Sequence, residues 1–177
     1  GASHLITGGD GKVLYDPYYV RNHQAGQSTL DILENYHNLI AAAGDLLFDP
    51  SREDITRTHA FGVNTEISIE SNDKVSPNFD AGGLTASIFD SESGLTIHIH
   101  NLLDQENAEW DVAKKEIKTS SSVKISILSA GYQPKWHIGR GNTSSKFTSA
   151  IADVNNDKFV MDVSITGAWT VIHVPKS

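Results

Sequence analysis

The stretch GAWTVIHVPKS, Gly167–Ser177, decides how the rest of the chain is read. From Trp169 to Val174 every residue but His173 is apolar, aromatic or β-branched, which reads as a strong β-strand. The same two-residue rhythm runs backward through the sequence as far as Ala60. It alternates Phe61, Val63, Ile67 and Ile69 in FGVNTEISIE, Leu84, Ala86 and Ile88 in LTASI, and Leu95, Ile97 and Ile99 in LTIHIH. It recurs with Val123, Ile125 and Ile127 in VKISIL and with Phe159, Met161, Val163 and Ile165 in KFVMDVSI. DSESG and VNNDK read as tight hairpin connections between such runs. Many short strands at close spacing predict a β-sandwich or barrel over residues 60–174.

Before Ala60 the period changes. STLDILENYHNLIAAAGDLLFDP predicts an amphipathic helix over 28–48, with Ser28 and Asp31 at capping-box spacing, Gly44 as a C-terminal cap and Pro50 as a stop. At 3.6 residues per turn, Asp31, Glu34, Asn35, Asn38 and Asp45 share one arc. Ile32, Leu33, Tyr36, Leu39, Ile40, Ala43, Leu46 and Leu47 fill the opposite side. Residues 1–27, with TGGDGK, DPYY and QAGQS, lack a sustained period and are expected to form an irregular arm. The 177 residues contain no linker, repeat or low-complexity segment and are read as one domain.

Composition narrows the function. A net charge of −8 leaves no basic cluster for phosphate, which sets nucleic acid aside as a partner. The longest apolar window, LIAAAGDLLF, is too short to span a bilayer. The absence of cysteine fits a secreted chain and a cytosolic one equally. The start, GASHLITGG, has neither Met nor an apolar signal core, which reads as a processed chain or a cloning remnant.

His98 and His100 lie two apart on one strand face, as a pair of metal ligands would, and His137 or His173 would complete a set. No carboxylate follows at a ligand spacing, so the plainer reading is a polar strand face. There is no cysteine nucleophile and no Gly-x-Ser-x-Gly elbow, and GRGNTSS, residues 139–145, lacks the lysine of a phosphate loop. The sequence therefore predicts no enzyme, no cofactor and no metal. Trp110, Tyr132 and Trp136 stand either as interfacial anchors or as core and rim residues.

Three stretches then point to a family. AWTVIHVPKS is similar to a closing strand of the Ile-His-Val-Ser-Lys type. STLDILENYHNLIAAAGD running into THAFGVNTEI is similar to an amphipathic helix leading into an Ala-Val-Gly-Val-Asp-Asn strand. GGLTASIFDSESGLTIHIHNLLDQENAEWDV follows a central hairpin through to a Trp-Asn-Val. In order and spacing the chain resembles the actinoporins, the cysteine-free cytolysins of sea anemones, and their relatives. The resemblance implies a mostly β protein, a β-sandwich with an N-terminal amphipathic helix packed on one face. It also implies a secreted chain that docks on membrane lipid, phosphocholine or sphingomyelin, self-associates in the target cell membrane and lines a pore with its helix. Leu30, Ile32, Leu33, Tyr36, Leu39 and Ile40 would then face the membrane, and Asp31, Glu34 and Asn38 the lumen. The headgroup positions read His100 and Leu102, with Trp110 standing alone where the family has an aromatic cluster. The alternative is a lectin, since fungal fruit-body lectins use a similar sandwich without inserting into membranes. A third reading is a metal enzyme built around His98 and His100.

Overall fold

The computed structural model of the chain describes residues 5–8, 11–14, 23–24, 27–64, 66–109, 115–141 and 144–177. In chain order its elements are β1 Leu5–Gly8, β2 Gly11–Leu14, β3 His23–Gln24, α1 Gln27–Ala42, α2 Gly44–Leu47, β4 Glu53–Asp54 and a π-helical turn Thr56–Ala60. There follow β5 Ile67–Glu70, β6 Val75–Ser76, β7 Leu84–Ser91, β8 Gly94–Asn101, β9 Ser121–Leu128, β10 Lys135–Arg140, β11 Ser144–Ile151, β12 Asp153–Asn155, β13 Lys158–Ile165 and β14 Trp169–Pro175.

The protein is mostly β, with two large antiparallel sheets. One runs β11-β10-β14-β8-β7-β4, with β6 added in parallel beside β7, and the other runs β12-β13-β9-β5. The alternation in the sequence explains their shared core. Leu84, Ala86 and Ile88 of β7, Leu95, Ile97 and Ile99 of β8, and Ile172 and Val174 of β14 are buried from one side. Val123, Ile125 and Ile127 of β9 and Phe159, Met161, Val163 and Ile165 of β13 are buried from the other. Trp136 of β10 is the largest fully buried side chain, so it belongs to the core, while Tyr132 packs at its rim. Both hairpins expected from sequence form: β7 and β8 join across Glu92-Ser93, and β12 and β13 across Asn156-Asp157, where Asn156 takes a φ of 56°.

Four sequence expectations are corrected. Phe61 and Val63 do not open a strand. The chain there leaves a π-helical turn closed by Phe61 N–H donating to the Thr56 carbonyl at 3.1 Å, Val63 is fully exposed, and pairing begins only at Ile67. The helix expected over 28–48 is interrupted at Ala43, and Gly44–Leu47 forms a separate turn, in keeping with the poor helix propensity of Gly44. Ser28 lies inside α1 rather than capping it, and Asp31 accepts from the Gln27 amide at 2.7 Å. Within 1–27, where irregular chain was expected, β1, β2 and β3 pair with one another and with neither large sheet.

Gly139 of β10 and Gly141 just beyond its end shape the contact with α1. A Cβ on Gly139 would lie 2.7 Å from Leu39 Cδ1 and 3.0 Å from Phe147, and a Cβ on Gly141 would lie 2.1 Å from the Tyr36 ring. Tyr36 and Leu39, one turn apart on the helix, therefore occupy space that side chains on β10 would otherwise fill. Leu39 and Ala43 are buried, whereas Ile40, expected on the same apolar face, is 37% exposed. Ile40 thus lies at the border of the seam and not within it.

Gly141→Ala is expected to destabilise the fold by roughly 1–3 kcal/mol through overpacking against Tyr36, with Gly139→Ala at the lower end because its added Cβ would approach Leu39 at 2.7 Å where that on Gly141 would approach Tyr36 at 2.1 Å. Gly44→Ala, with nothing within 4 Å of its added Cβ, is the control and should be neutral or stabilising. Urea unfolding measures all three, and a wild-type midpoint for Gly141→Ala would contradict the seam.

Candidate functional site

The pleat that buries Thr170, Ile172 and Val174 turns Trp169, Val171 and His173 to the outer face of the large sheet. Across β8 the register sets Trp169 opposite His100 and Val171 opposite His98, and across β7 it sets Thr85 opposite His100 and Ser87 opposite His98. The two histidines of LTIHIH therefore stand beside Trp169 on one surface.

On that surface the rings form a continuous row. Phe79 lies 5.1 Å from His100, His100 lies 6.3 Å from Trp169, and Trp169 lies 6.4 Å from Tyr36, measured between centroids. The row starts at Phe79, which is 56% exposed, passes through half-buried His100 and Trp169, and ends on the helix. Behind it sits His98, 6.4 Å from His100 and 5.8 Å from Trp169, with Phe89 edge-on at 5.6 Å. The Arg52 guanidinium lies 3.6 Å over the Phe89 ring and donates to the Leu47 carbonyl at 2.9 Å.

His98 is approached by donors at both ring nitrogens. Arg52 Nη2 is 2.8 Å from Nε2, and Trp169 Nε1–H donates to Nδ1 at 3.1 Å. A neutral imidazole has one lone pair to offer and a protonated one has none, so every added proton worsens this arrangement. Burial first, then the charge of Arg52 and the neighbouring His100, push the His98 pKa down to about 3. Burial alone pushes His100 down to about 4. Burial also raises the Tyr36 hydroxyl, partly offset by a hydrogen bond from the Ala168 backbone. At neutral pH the row and His98 are uncharged, and the Arg52 cation contacts His98.

The residues singled out from sequence fall in different places. Tyr36 and His100 join the row. Leu39 is buried beneath the helix, Ile40 is partly exposed, and Asp31, Glu34 and Asn38 are exposed on the far side of α1. Leu102 is half-buried just beyond β8, where its carbonyl accepts from Gly82 and Gln105. Trp110 and the side chains of Leu30, Ile32 and Leu33 lie outside the described residues. His137 and His173 stack on each other at 6.3 Å, with His173 Nδ1 3.1 Å from the Leu95 carbonyl. Among the described residues no group of three His, Asp or Glu is placed to hold a metal ion.

Sequence reasoning missed Arg52, Phe79 and Phe89, and noticed Trp169 only as strand. Phe89 carried a usable signal, since Thr85, Ser87 and Phe89 are the outward partners of buried Ala86 and Ile88. Arg52 and Phe79 sit in connections whose paths no local period dictates.

No protein-family model and no curated protein matches the chain. Among solved structures it is similar to a Paenibacillus sp. cycloisomaltooligosaccharide glucanotransferase crystallised in complex with cycloisomaltoheptaose. The two superpose with a TM-score of 0.68 at 14% identity over 91% of this chain, a likeness of fold. The chain spans 23% of the length of that enzyme.

The neutral histidines make a pH prediction. His98 binds a proton near 6.5 when unfolded and near 3 when folded, so the unfolded chain is the better proton acceptor between those values. The His98 contribution should be constant above about pH 7 and fall as pH drops, costing about 2 kcal/mol at pH 5. His100 adds to the loss in the same direction. Urea midpoints at pH 7 and pH 5 measure the loss, and His98→Gln should shrink the difference between them. An unchanged difference would overturn this account.

Proposed function

We propose that the chain is a glycan-binding β-sandwich domain that acts by recognition and not by catalysis. The observation that carries the proposal is the aromatic row Phe79, His100, Trp169 and Tyr36. The apolar C–H faces of a sugar ring stack on uncharged aromatic faces, while its hydroxyls need fixed polar groups at the border. Both are present beside the exposed end of the row. Phe79 lies between Asn78, which accepts from Arg57 at 2.5 Å, and Asp80, which pairs with Lys74 at 3.0 Å. The Arg52 charge next to His98 disfavours a quaternary ammonium on this surface, which makes a neutral sugar a better occupant than choline. The fold-level likeness to part of a glucanotransferase agrees with a carbohydrate-binding role and makes cycloisomaltoheptaose a reasonable first probe.

Membrane insertion of α1, in an actinoporin-like sandwich, is the second reading. Its supporting observation is the division of the helix between exposed Asp31, Glu34 and Asn38 and buried Leu39 and Ala43. Release would expose Leu39 and unstack Tyr36 from Trp169, a cost of roughly 2–4 kcal/mol that insertion must exceed.

A glycan array followed by titration calorimetry separates the two. The glycan proposal expects binding of at least one neutral oligosaccharide, weakened about tenfold or more by Phe79→Ala, an exposed side chain whose loss should leave the fold intact. Absence of binding across neutral glycans, together with dye release from sphingomyelin-containing vesicles, would replace it with the pore reading.

A further inference from the structure

A second recess shares no residue with the aromatic row. Where the β4 edge of the large sheet meets the β5 edge of the small one, a cleft of about 300 Å³ opens onto the end of the core. Leu95 and Ile127 form its floor, and the half-buried Tyr132 stands at its side. Glu53, Glu66 and Asp90 approach from three different segments, so the fold, and not a run of acidic sequence, gathers them here.

The charges in this cleft do not cancel. Glu53, Glu66 and Asp90 line the cleft with no lysine or arginine among its lining residues; Lys176 pairs with Asp90 from outside it at 2.9 Å, and His59 lies 3.9 Å from Glu66. The negative field reaches the wall, since Asp90 and Glu66 add to burial in raising the Tyr132 hydroxyl. A volume of this size is at the lower limit for small-molecule sites and admits a compact ligand, not a length of glycan. An apolar floor beneath a border with excess negative charge complements one chemical class: a short aliphatic stem ending in a cation.

We propose that this cleft binds a primary ammonium carried on a short aliphatic stem, with the stem over Leu95 and Ile127 and the ammonium paired to Glu66 and Glu53. Such a group is offered by a lysine side chain and, on a ring, by an amino sugar.

The test is titration of the full chain with 1-pentylamine and, in parallel, with 1-pentanol, followed by amide NMR shifts. The expected result is saturable shifts centred on Ile127, Leu128 and Tyr132 with an affinity on the order of millimolar for the amine and at least about fivefold weaker binding of the alcohol. Glu53→Gln with Glu66→Gln should weaken the amine about tenfold and leave the alcohol unchanged, with thermal melting confirming that the variant is folded. Phe79→Ala should leave amine binding unchanged, which keeps this outcome separate from that of the glycan proposal. Nα-acetyl-lysine amide and glucosamine, titrated separately, distinguish the two sources of the ammonium. Equal binding of amine and alcohol, shifts centred on the aromatic row, or no saturable shift would overturn the proposal.

Discussion

The register of β14 is the constraint on which both faces of the large sheet depend. The strand is hydrogen-bonded to β10 on one side and β8 on the other, so its backbone is satisfied along both edges. Its period of two then divides the side chains, with Thr170, Ile172 and Val174 turned toward the core and Trp169, Val171 and His173 away from it. A slip of one residue would turn Trp169 and His173 into the core and Ile172 out of it, costing the core and the aromatic row together. Gly94 helps fix the register, because a Cβ there would lie 2.2 Å from the Val174 carbonyl oxygen, and its φ of 137° suits few other residues.

Given that register, the rigidity of the outer face follows from hydrogen bonding as much as from packing. His98 holds Trp169 through one ring nitrogen and meets Arg52 at the other, and Arg52 is itself held against Phe89 and the Leu47 carbonyl. The indole at the middle of the row is therefore oriented before any ligand arrives, which lowers the ordering cost of binding. The same arrangement makes His98 a poor base. A buried imidazole facing two donors contributes shape and an acceptor, and its charge state does not change across the neutral range.

Much of this was legible in the sequence where a local period governs it. The alternation in LTIHIH placed Leu95, Ile97 and Ile99 on the core face and His98 and His100 on the other, and the structure agrees. What the period does not carry is the partner of each strand. That Trp169 stands opposite His100 is a matter of sheet order, in which strands distant in sequence become neighbours. Phe61 and Val63 show the opposite failure, an apparent alternation that a π-helical turn overrides. On α1 the periodicity marked a broad apolar arc, but the seats of Leu39 and Tyr36 are made by Gly139 and Gly141, whose importance shows only once the helix lies against them. Arg52 and Phe79 carried no sequence signal because their positions are determined by tertiary contacts.

Tyr36 ties the two functional readings into one equilibrium. It is both the helix end of the aromatic row and the side chain seated on Gly141, just past β10. A ligand that stacks along the whole row touches Tyr36 only while α1 is docked, so its binding energy adds to the stability of the docked state. Such a ligand works against release of the helix by the full extent of its preference for that state. A pore-forming protein needs the reverse: an occupant that binds better once Tyr36 has gone, or one that uses only the Phe79 and His100 end. Glycan recognition along the complete row and insertion of α1 are therefore opposed by linkage, and the contribution of Tyr36 to ligand affinity is the quantity that sets the sign of the coupling.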